Sequence, residues 1–320
     1  MFAKTRHNMR YTDNALNILT ILSFPKFGSA WVVKNYRRSL SEIVALMHAK
    51  SAEIDMCAFD TRKLEIETMI NSLMGYADGV VAIGDSHFPQ HRGSVKESEI
   101  PVALFYKGDL TLLSHKNQNI SVIGTLEAPS DIDATKIELT EKIIVKKLVE
   151  KGATIVSGLA KGCDTIAHLE TLNHGGKTIA ILPSTLKNIQ PAAHKEVAKR
   201  IVEQGGLLVT EYYTEPRSKF ELLGRYPKRD RLQALYSNCV VLTASHSEKD
   251  KGHDCGSRLA MQYANNYDIK RAVVYPIDNN NPIFNLNKEI ADTDVKVIKI
   301  NKMTVESAII SILSSHNKLF

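Results

Sequence analysis

No apolar run in this 320-residue chain approaches the roughly 20 residues needed to span a bilayer, which argues against a membrane-embedded protein. The N-terminal stretch Met1 to Arg10 carries Lys4, Arg6, His7 and Arg10, but no apolar signal core or cleavage site follows it, so it reads as a short basic tail. The four cysteines (Cys57, Cys163, Cys239, Cys255) are widely spaced and include no CxxC pair, so a reduced, cytoplasmic protein is the simplest expectation. His246, His253 and Cys255 come nearest to a metal set, yet no fourth ligand stands at a recognised spacing. No metal or cofactor is expected. Internal repeats and low-complexity stretches are also missing, which excludes solenoids and arrays.

What is there is an ordinary globular composition, 43% hydrophobic and 24% charged residues. The net charge of +6 permits a polyanionic partner without demanding one. The first ~75 residues carry helical periodicity. Asp13 is placed to cap a segment with Ala15, Leu16, Ile18, Leu19 and Leu22, Phe24 to Ser29 breaks it, and a further helix is expected from Thr61 to Met74. The Pro25-Lys26-Phe27-Gly28 turn either approaches a nucleic-acid backbone through its amides or simply closes two helices.

From Gly79 onward, apolar β-branched runs alternate with helical patterns. That alternation predicts an α/β fold: a doubly wound, mostly parallel sheet with helices on both faces, preceded by a small all-α domain. The expected domains are 1–76, small and helical, and 77–320, the Rossmann-like core. Ligands of such sheets bind at the carboxyl ends of the strands, and four segments are assigned there. Gly124-Thr125-Leu126-Glu127 follows the third strand. Ser157-Gly158-Leu159-Ala160-Lys161-Gly162-Cys163-Asp164 joins a strand to a helix N-terminus, where free amides and the helix dipole favour an anion. Such a loop serves equally as a tightly packed βα turn, and its residues alone leave both readings open. Tyr226-Pro227-Lys228-Arg229-Asp230-Arg231 is placed at the start of a helix with three cations in four residues, and Gly256-Ser257-Arg258 opens another. Cations beside two amide-rich loops suit consecutive phosphates along a groove. Asp164 is read as capping amides, His168 as bonding internally, and Glu211 as orienting the loop. Cys163 sits near a helix N-terminus, where a thiol's pKa can fall, but no catalytic partner is evident.

The ordered set of motifs from Gly84 to Asn287 resembles the DNA-processing protein A (DprA/Smf) family. It comprises Gly84-Asp85-Ser86-His87-Phe88-Pro89, Leu104 to Asp109, Val156 to Asp164 with Ala167-His168, Gly176 to Leu182, Pro191, His194, Glu203 to Gly206, Thr210-Glu211, Tyr226 to Arg231, and Gly256-Ser257. The N-terminal region resembles the SAM or helix-hairpin-helix-like domain that precedes the Rossmann-like core in many members. The resemblance implies a cytoplasmic homodimer that binds single-stranded DNA and loads a RecA-type recombinase onto DNA entering during natural transformation. It implies a binding protein rather than an enzyme, with no catalytic residues, and DNA recombination and competence as its setting. Carried over by position, it implies DNA or phosphate contacts at Gly124, Ser157, Gly158, Lys161, Gly162, Lys228, Arg229, Arg231, Gly256, Ser257 and Arg258. The family's C-terminal winged helix is expected to be absent.

Two positions depart from the family pattern. Where the family has Gly-Ser-Arg after the third strand, Leu126 and Glu127 follow Gly124-Thr125, removing a phosphate-binding cation, and the family Asn is Asp230 here. The loop from His246 to Cys255, with Lys249 and Lys251, either restores charge or is ordinary surface. The rival reading is a nucleotide-binding sensor of the same fold in a mobile-element or defence context. A nucleotide hydrolase is less well supported, because the chain lacks the Pro-Gly-Gly-x-Gly-Thr-x-x-Glu loop of the related phosphoribohydrolases. A purely structural partner protein is a third reading.

Overall fold

The computed structural model describes residues 9–125, 130–250, 256–276 and 281–314. Four helices come first: α1 (Asp13–Ser23), α2 (Ser29–Asn35), α3 (Leu40–Lys50) and α4 (Met56–Asn71). Three of them, α1, α3 and α4, start where side-chain oxygens accept otherwise orphaned first-turn N–H groups. Thr12, rather than Asp13, caps α1 by accepting from the Ala15 amide at 2.9 Å. Ser39 and Glu42 form a reciprocal capping box on α3. Asp55 accepts from Ala58 at 2.8 Å, which starts α4 five residues before the expected Thr61. In the turn between α1 and α2, Phe27 is buried edge-on against Trp31, with ring centroids 4.9 Å apart, so this turn closes two helices around a shared apolar contact.

The strands are β1 (Gly79–Ala82), β2 (Ala103–Gly108), β3 (Asn119–Ile123), β4 (Thr154–Ser157), β5 (Thr178–Ile181), β6 (Leu207–Thr210), β7 (Cys239–Leu242), β8 (Lys270–Val274) and β9 (Ile298–Ile300). They form one sheet in the order β1-β2-β6-β5-β4-β3-β7-β8-β9. From β3 to β9 every pairing is parallel, while β2 runs antiparallel to both β1 and β6. The antiparallel edge arises because only a short 3-10 turn at Glu97–Glu99 lies between β1 and β2, so no crossover helix returns the chain in register for a parallel strand.

Around the sheet lie α5 (Asp131–Glu150), α6 (Cys163–Asn173), α7 (Lys195–Glu203), α8 (Lys219–Leu235), α9 (Gly256–Asn266), α10 (Asn285–Thr293) and α11 (Val305–Leu313). The period of two in a strand sends alternate side chains to opposite layers. Ile120, Val122, Ile155 and Val241 join Ile144, Leu148, Ala167 and Ile309 of α5, α6 and α11. Val156, Val240 and Leu242 join Leu232, Leu235, Tyr236, Ala260 and Met261 of α8 and α9 on the other side. A third cluster ties Leu16, Leu19, Phe59 and Ile70 of the N-terminal helices to Val80, Ala82, Ala103 and Phe105 of the sheet. The apolar core is therefore continuous across residues 76 and 77.

Two further helices differ from the sequence expectation. α10 has no side-chain cap that the sequence would show; a 3-10 turn at Pro282–Phe284 leads into it, capped by Asn281, which accepts from the Ile283 amide at 3.1 Å. α8 begins twelve residues before Arg231, not near it, and holds Pro227 in its interior. Ser218 caps it, accepting from the Glu221 amide at 3.1 Å, and Glu221 is gripped by Arg217 at 3.0 Å and Arg225 at 2.8 Å. These contacts hold the first turns despite the backbone donor that Pro227 lacks.

Candidate nucleic-acid interface

Strand order reverses between β3 and β7, so the crevice of the sheet opens outside their carboxyl ends. The segment from Ser157 to Asp164 lies there and is fixed from several sides. The Ser157 hydroxyl donates to the Val122 carbonyl at 2.7 Å. Leu159 takes the left-handed conformation at φ 60°, and its carbonyl oxygen lies 2.7 Å from His194 Nδ1, which precedes α7. Gly162, at φ 85°, makes the reversal into α6 that a Cβ would strain. The amides of Gly158 and Ala160 donate to Asp164 Oδ2 at 3.1 and 3.2 Å. The amide cradle read from the sequence thus holds an anion already, and that anion is the chain's own carboxylate. Lys161 projects outward, exposed and without an ion pair.

α8 closes the crevice from the other side. Arg229 is buried, with Nη1 3.4 Å from Asp164 Oδ2 and Nε 3.3 Å from Asp230 Oδ1. A Cβ on Gly158 would stand 1.2 Å from Arg229 Nη1 and 2.8 Å from Asp164 Oδ2, so any side chain there would have to push the guanidinium aside. Asp230 also accepts from Gln233 Nε2 at 3.2 Å, and Ser121 Oγ lies 3.4 Å from Gln233 Oε1. Burial pushes the Asp230 carboxyl up to about 6, against the pull of Arg229. Arg231 is buried as well, paired with Glu211 at 2.6 Å and donating to the Glu99 carbonyl. Of the three cations read together from Lys228 to Arg231, only Lys228 is exposed; it makes no ion pair. The reason is the extended reach of α8: from Arg229 on, the helix has entered the core, and a buried guanidinium needs carboxylates beside it.

At the carboxyl ends of β3 and β7, the Thr125 amide donates to the Ala244 carbonyl at 2.9 Å. Gly124 is wedged so that a Cβ would meet Ala244 O and Cys163 Sγ at 3.0 Å each. Beneath it sits Glu141 of α5, fully buried, with the Cys163 thiol and the Thr243 hydroxyl as the polar side chains beside its carboxyl. Burial pushes Glu141 up to about 8. Burial and the Glu141 carboxyl together hold the Cys163 thiol well above its usual value, reversing the expectation that the helix N-terminus would lower it. His168 bonds Thr178 Oγ1 at 2.7 Å and is pushed down to about 4 by burial, so it packs as a neutral side chain.

At α9, a Cβ on Gly256 would stand 2.7 Å from Asp230 Oδ2, Ser257 is buried, and Arg258 lies 3.8 Å from Glu248. Leu126 and Glu127, and residues 251–255 with His253 and Cys255, lie outside the described residues. His246 is buried 3.9 Å from Asp250, and among the described residues no group of three metal-ligating side chains occurs. No helix of the described residues is long and apolar enough to cross a membrane. Two exposed, unpaired lysines escaped the sequence reading: Lys195, next to the His194 that holds the loop, and Lys219 at the start of α8. Their signal was only adjacency to a bonding residue, which becomes visible once the fold is known.

A sequence profile of the DNA recombination-mediator protein A family matches residues 79–306. The chain belongs to that family. All the loops of the crevice fall inside the matched segment, and α1–α4 fall outside it. The chain is 38% identical to the DNA processing protein DprA of Streptococcus pneumoniae over 145 residues, 45% of this chain and 47% of that protein. It matches less than half the length of this and other curated relatives. The fold is similar to the crystal structure of DNA processing protein A from Streptococcus pneumoniae, with a TM-score of 0.65 at 21% identity, covering 97% of this chain and 96% of that one. It is also similar to the Helicobacter pylori protein whose structure was described for its single-stranded DNA binding mode, with a TM-score of 0.53 at 23% identity, covering 71% and 97% of the two chains. At these identities the structural likeness shows the fold.

Proposed function

We propose that this chain binds single-stranded DNA along the carboxyl ends of its sheet strands and acts as a recombination mediator. The observation that carries the reading is the placement of Lys161 and Lys228. Both are exposed and unpaired, and each adjoins the contact that locks Gly158 and Asp164 against Arg229. Free cations outside a rigid, internally neutralised floor suit a polyanion that lies across the crevice rather than a ligand that enters it. Membership in the DNA recombination-mediator protein A family supports the same conclusion. The finer reading, that the protein is a cytoplasmic homodimer that loads a RecA-type recombinase onto incoming DNA during natural transformation, rests on the family resemblance.

The nucleotide-sensor reading is disfavoured by a specific contact. A mononucleotide would place phosphate on the Gly158 and Ala160 amides, but Asp164 occupies them and Arg229 stands over Gly158. The ionisable groups around the crevice floor are likewise committed to one another, which favours a binding protein over a hydrolase.

Fluorescence anisotropy with labelled single- and double-stranded oligonucleotides, at several salt concentrations, tests the proposal. Wild type is expected to prefer single strands. Lys161→Ala with Lys228→Ala should weaken binding and flatten the log–log salt slope by about 1.4, two lost contacts at about 0.7 each. No oligonucleotide binding at low salt, together with thermal stabilisation by a mononucleotide, would hand the function to the sensor reading.

A further inference from the structure

The first ten residues of α8, 219–228, expose an apolar face that the fold leaves unused. Phe220 is 86% and Leu223 56% exposed. Three residues apart on a helix, they are neighbours on one side. This is a firm platform, because the Ser218 cap and the Arg217–Glu221–Arg225 bridge hold the turn beneath them. A single exposed phenylalanine needs no explanation; the setting of this one is unusual. From Arg217 to Lys228 there are four cations (Arg217, Lys219, Arg225, Lys228) against one carboxylate, Glu221. Lys219 adjoins Phe220 in sequence, and both it and Lys228 are exposed without an ion pair. At 1.5 Å per residue, about 12 Å of helix separates Phe220 from Lys228. The next residue, Arg229, touches the Gly158 loop, so the C-terminal end of this exposed segment reaches the crevice.

We propose that Phe220, with Leu223 beside it, is a base-stacking ledge that engages the bases of a single strand whose phosphates lie on Lys161, Lys219 and Lys228. The inference rests on the single-stranded DNA reading and deepens it by assigning the feature that distinguishes single from double strands. In a duplex the base faces are already stacked on one another; only an open strand presents a π-face to a protein aromatic. Neither Phe nor Leu carries a hydrogen-bond donor or acceptor, so the ledge senses the presence of a base rather than its identity. The local excess of positive charge favours a nucleic acid over a protein surface as occupant.

The test pairs two oligonucleotides of equal length, one carrying bases and one an abasic phosphate backbone, with wild type, Phe220→Ala and Phe220→Trp. A 2-aminopurine version of the first reports stacking directly through fluorescence quenching. Phe220→Ala should bind the base-bearing strand about tenfold more weakly, lose the quenching, and bind the abasic strand with unchanged affinity and salt slope. Phe220→Trp should keep both the affinity and the quenching. The ledge is overturned if Phe220→Ala binds the base-bearing strand as wild type does, or if it loses affinity for both strands equally. It is also overturned if the substitution leaves DNA binding intact but abolishes self-association in sedimentation, which would make the face a protein contact. Wild type that binds neither strand would sink the single-stranded DNA reading itself, a result distinct from the others.

Discussion

The two halves of α8 are one continuous helix with opposite relations to water. Residues 219–228 hold Lys219, Phe220, Leu223 and Lys228 in the open, whereas every residue from Arg229 to Leu235 is buried. Arg229 and Lys228 are consecutive and carry the same charge, yet one is neutralised between Asp164 and Asp230 and the other is free. Charge counted along a chain is therefore not charge available to a partner. The inner half turns its cations into struts, Arg229 against the Gly158 loop and Arg231 against Glu211, and the outer half presents cations and an aromatic to solvent. Rigidity and affinity are divided between neighbours on one element.

The division is most severely tested by Arg229→Met. Removing the guanidinium leaves two buried carboxylates without a counter-charge, and the loss of stability in urea denaturation at pH 7 should be about 3–5 kcal/mol. A loss within 0.5 kcal/mol would mean that Arg229 behaves like Lys228 and that the comparison fails. Next comes Glu141→Gln, under the same crevice. A carboxyl held at about 8 in the folded protein keeps a proton that the unfolded chain, near 4.5, gives up. The folded state therefore loses stability as pH rises from about 4.5 to 8. Glutamine should abolish that slope and add about 3 kcal/mol at pH 7, with little change at pH 4.5; a wild-type stability that is flat over this window would refute it. Gly158→Ala drives a methyl into the Arg229 guanidinium and should cost about 2 kcal/mol by forcing the strut aside, read as a lower urea midpoint. The smallest stability effects belong to the outer half and to the exposed lysine of the facing loop. Lys161→Ala, Lys228→Ala and Phe220→Ala should each leave stability within about 0.5 kcal/mol, while oligonucleotide affinity falls.

Much of the architecture was legible because it follows from short-range rules. Runs such as Ala153-Thr154-Ile155-Val156 and Thr178-Ile179-Ala180-Ile181-Leu182 are too short and too β-branched for helices, and their alternation with helical periodicity implies parallel crossovers. The Asp164 cap and the internal bond of His168 were also legible, since an acid in the first turn and a histidine on the inner face have local partners. The antiparallel β1–β2 edge was not, because the chain between Ala82 and Ala103 has no periodicity from which to infer direction. The start of α8 was hidden by Pro227, whose helix-breaking tendency is outweighed by a cap nine residues upstream.

The candidate site divides along the same line. Its members on the loops after β3 and β4 and on α8 and α9 could be named from motif order, because family motifs preserve residue types at fixed places in the chain. The sequence by itself determined the α/β class, the alternation that feeds two helical layers, and the set of residues that gather at the crevice. Only the tertiary structure decided which of those cations face solvent, that Asp164 fills the amide cradle, and that Phe220 stands exposed on the outer half of α8. The reason is physical: burial and ion pairing depend on where α8 passes from the surface into the core, and that point is set by packing against β7 and α9 rather than by any local pattern in α8.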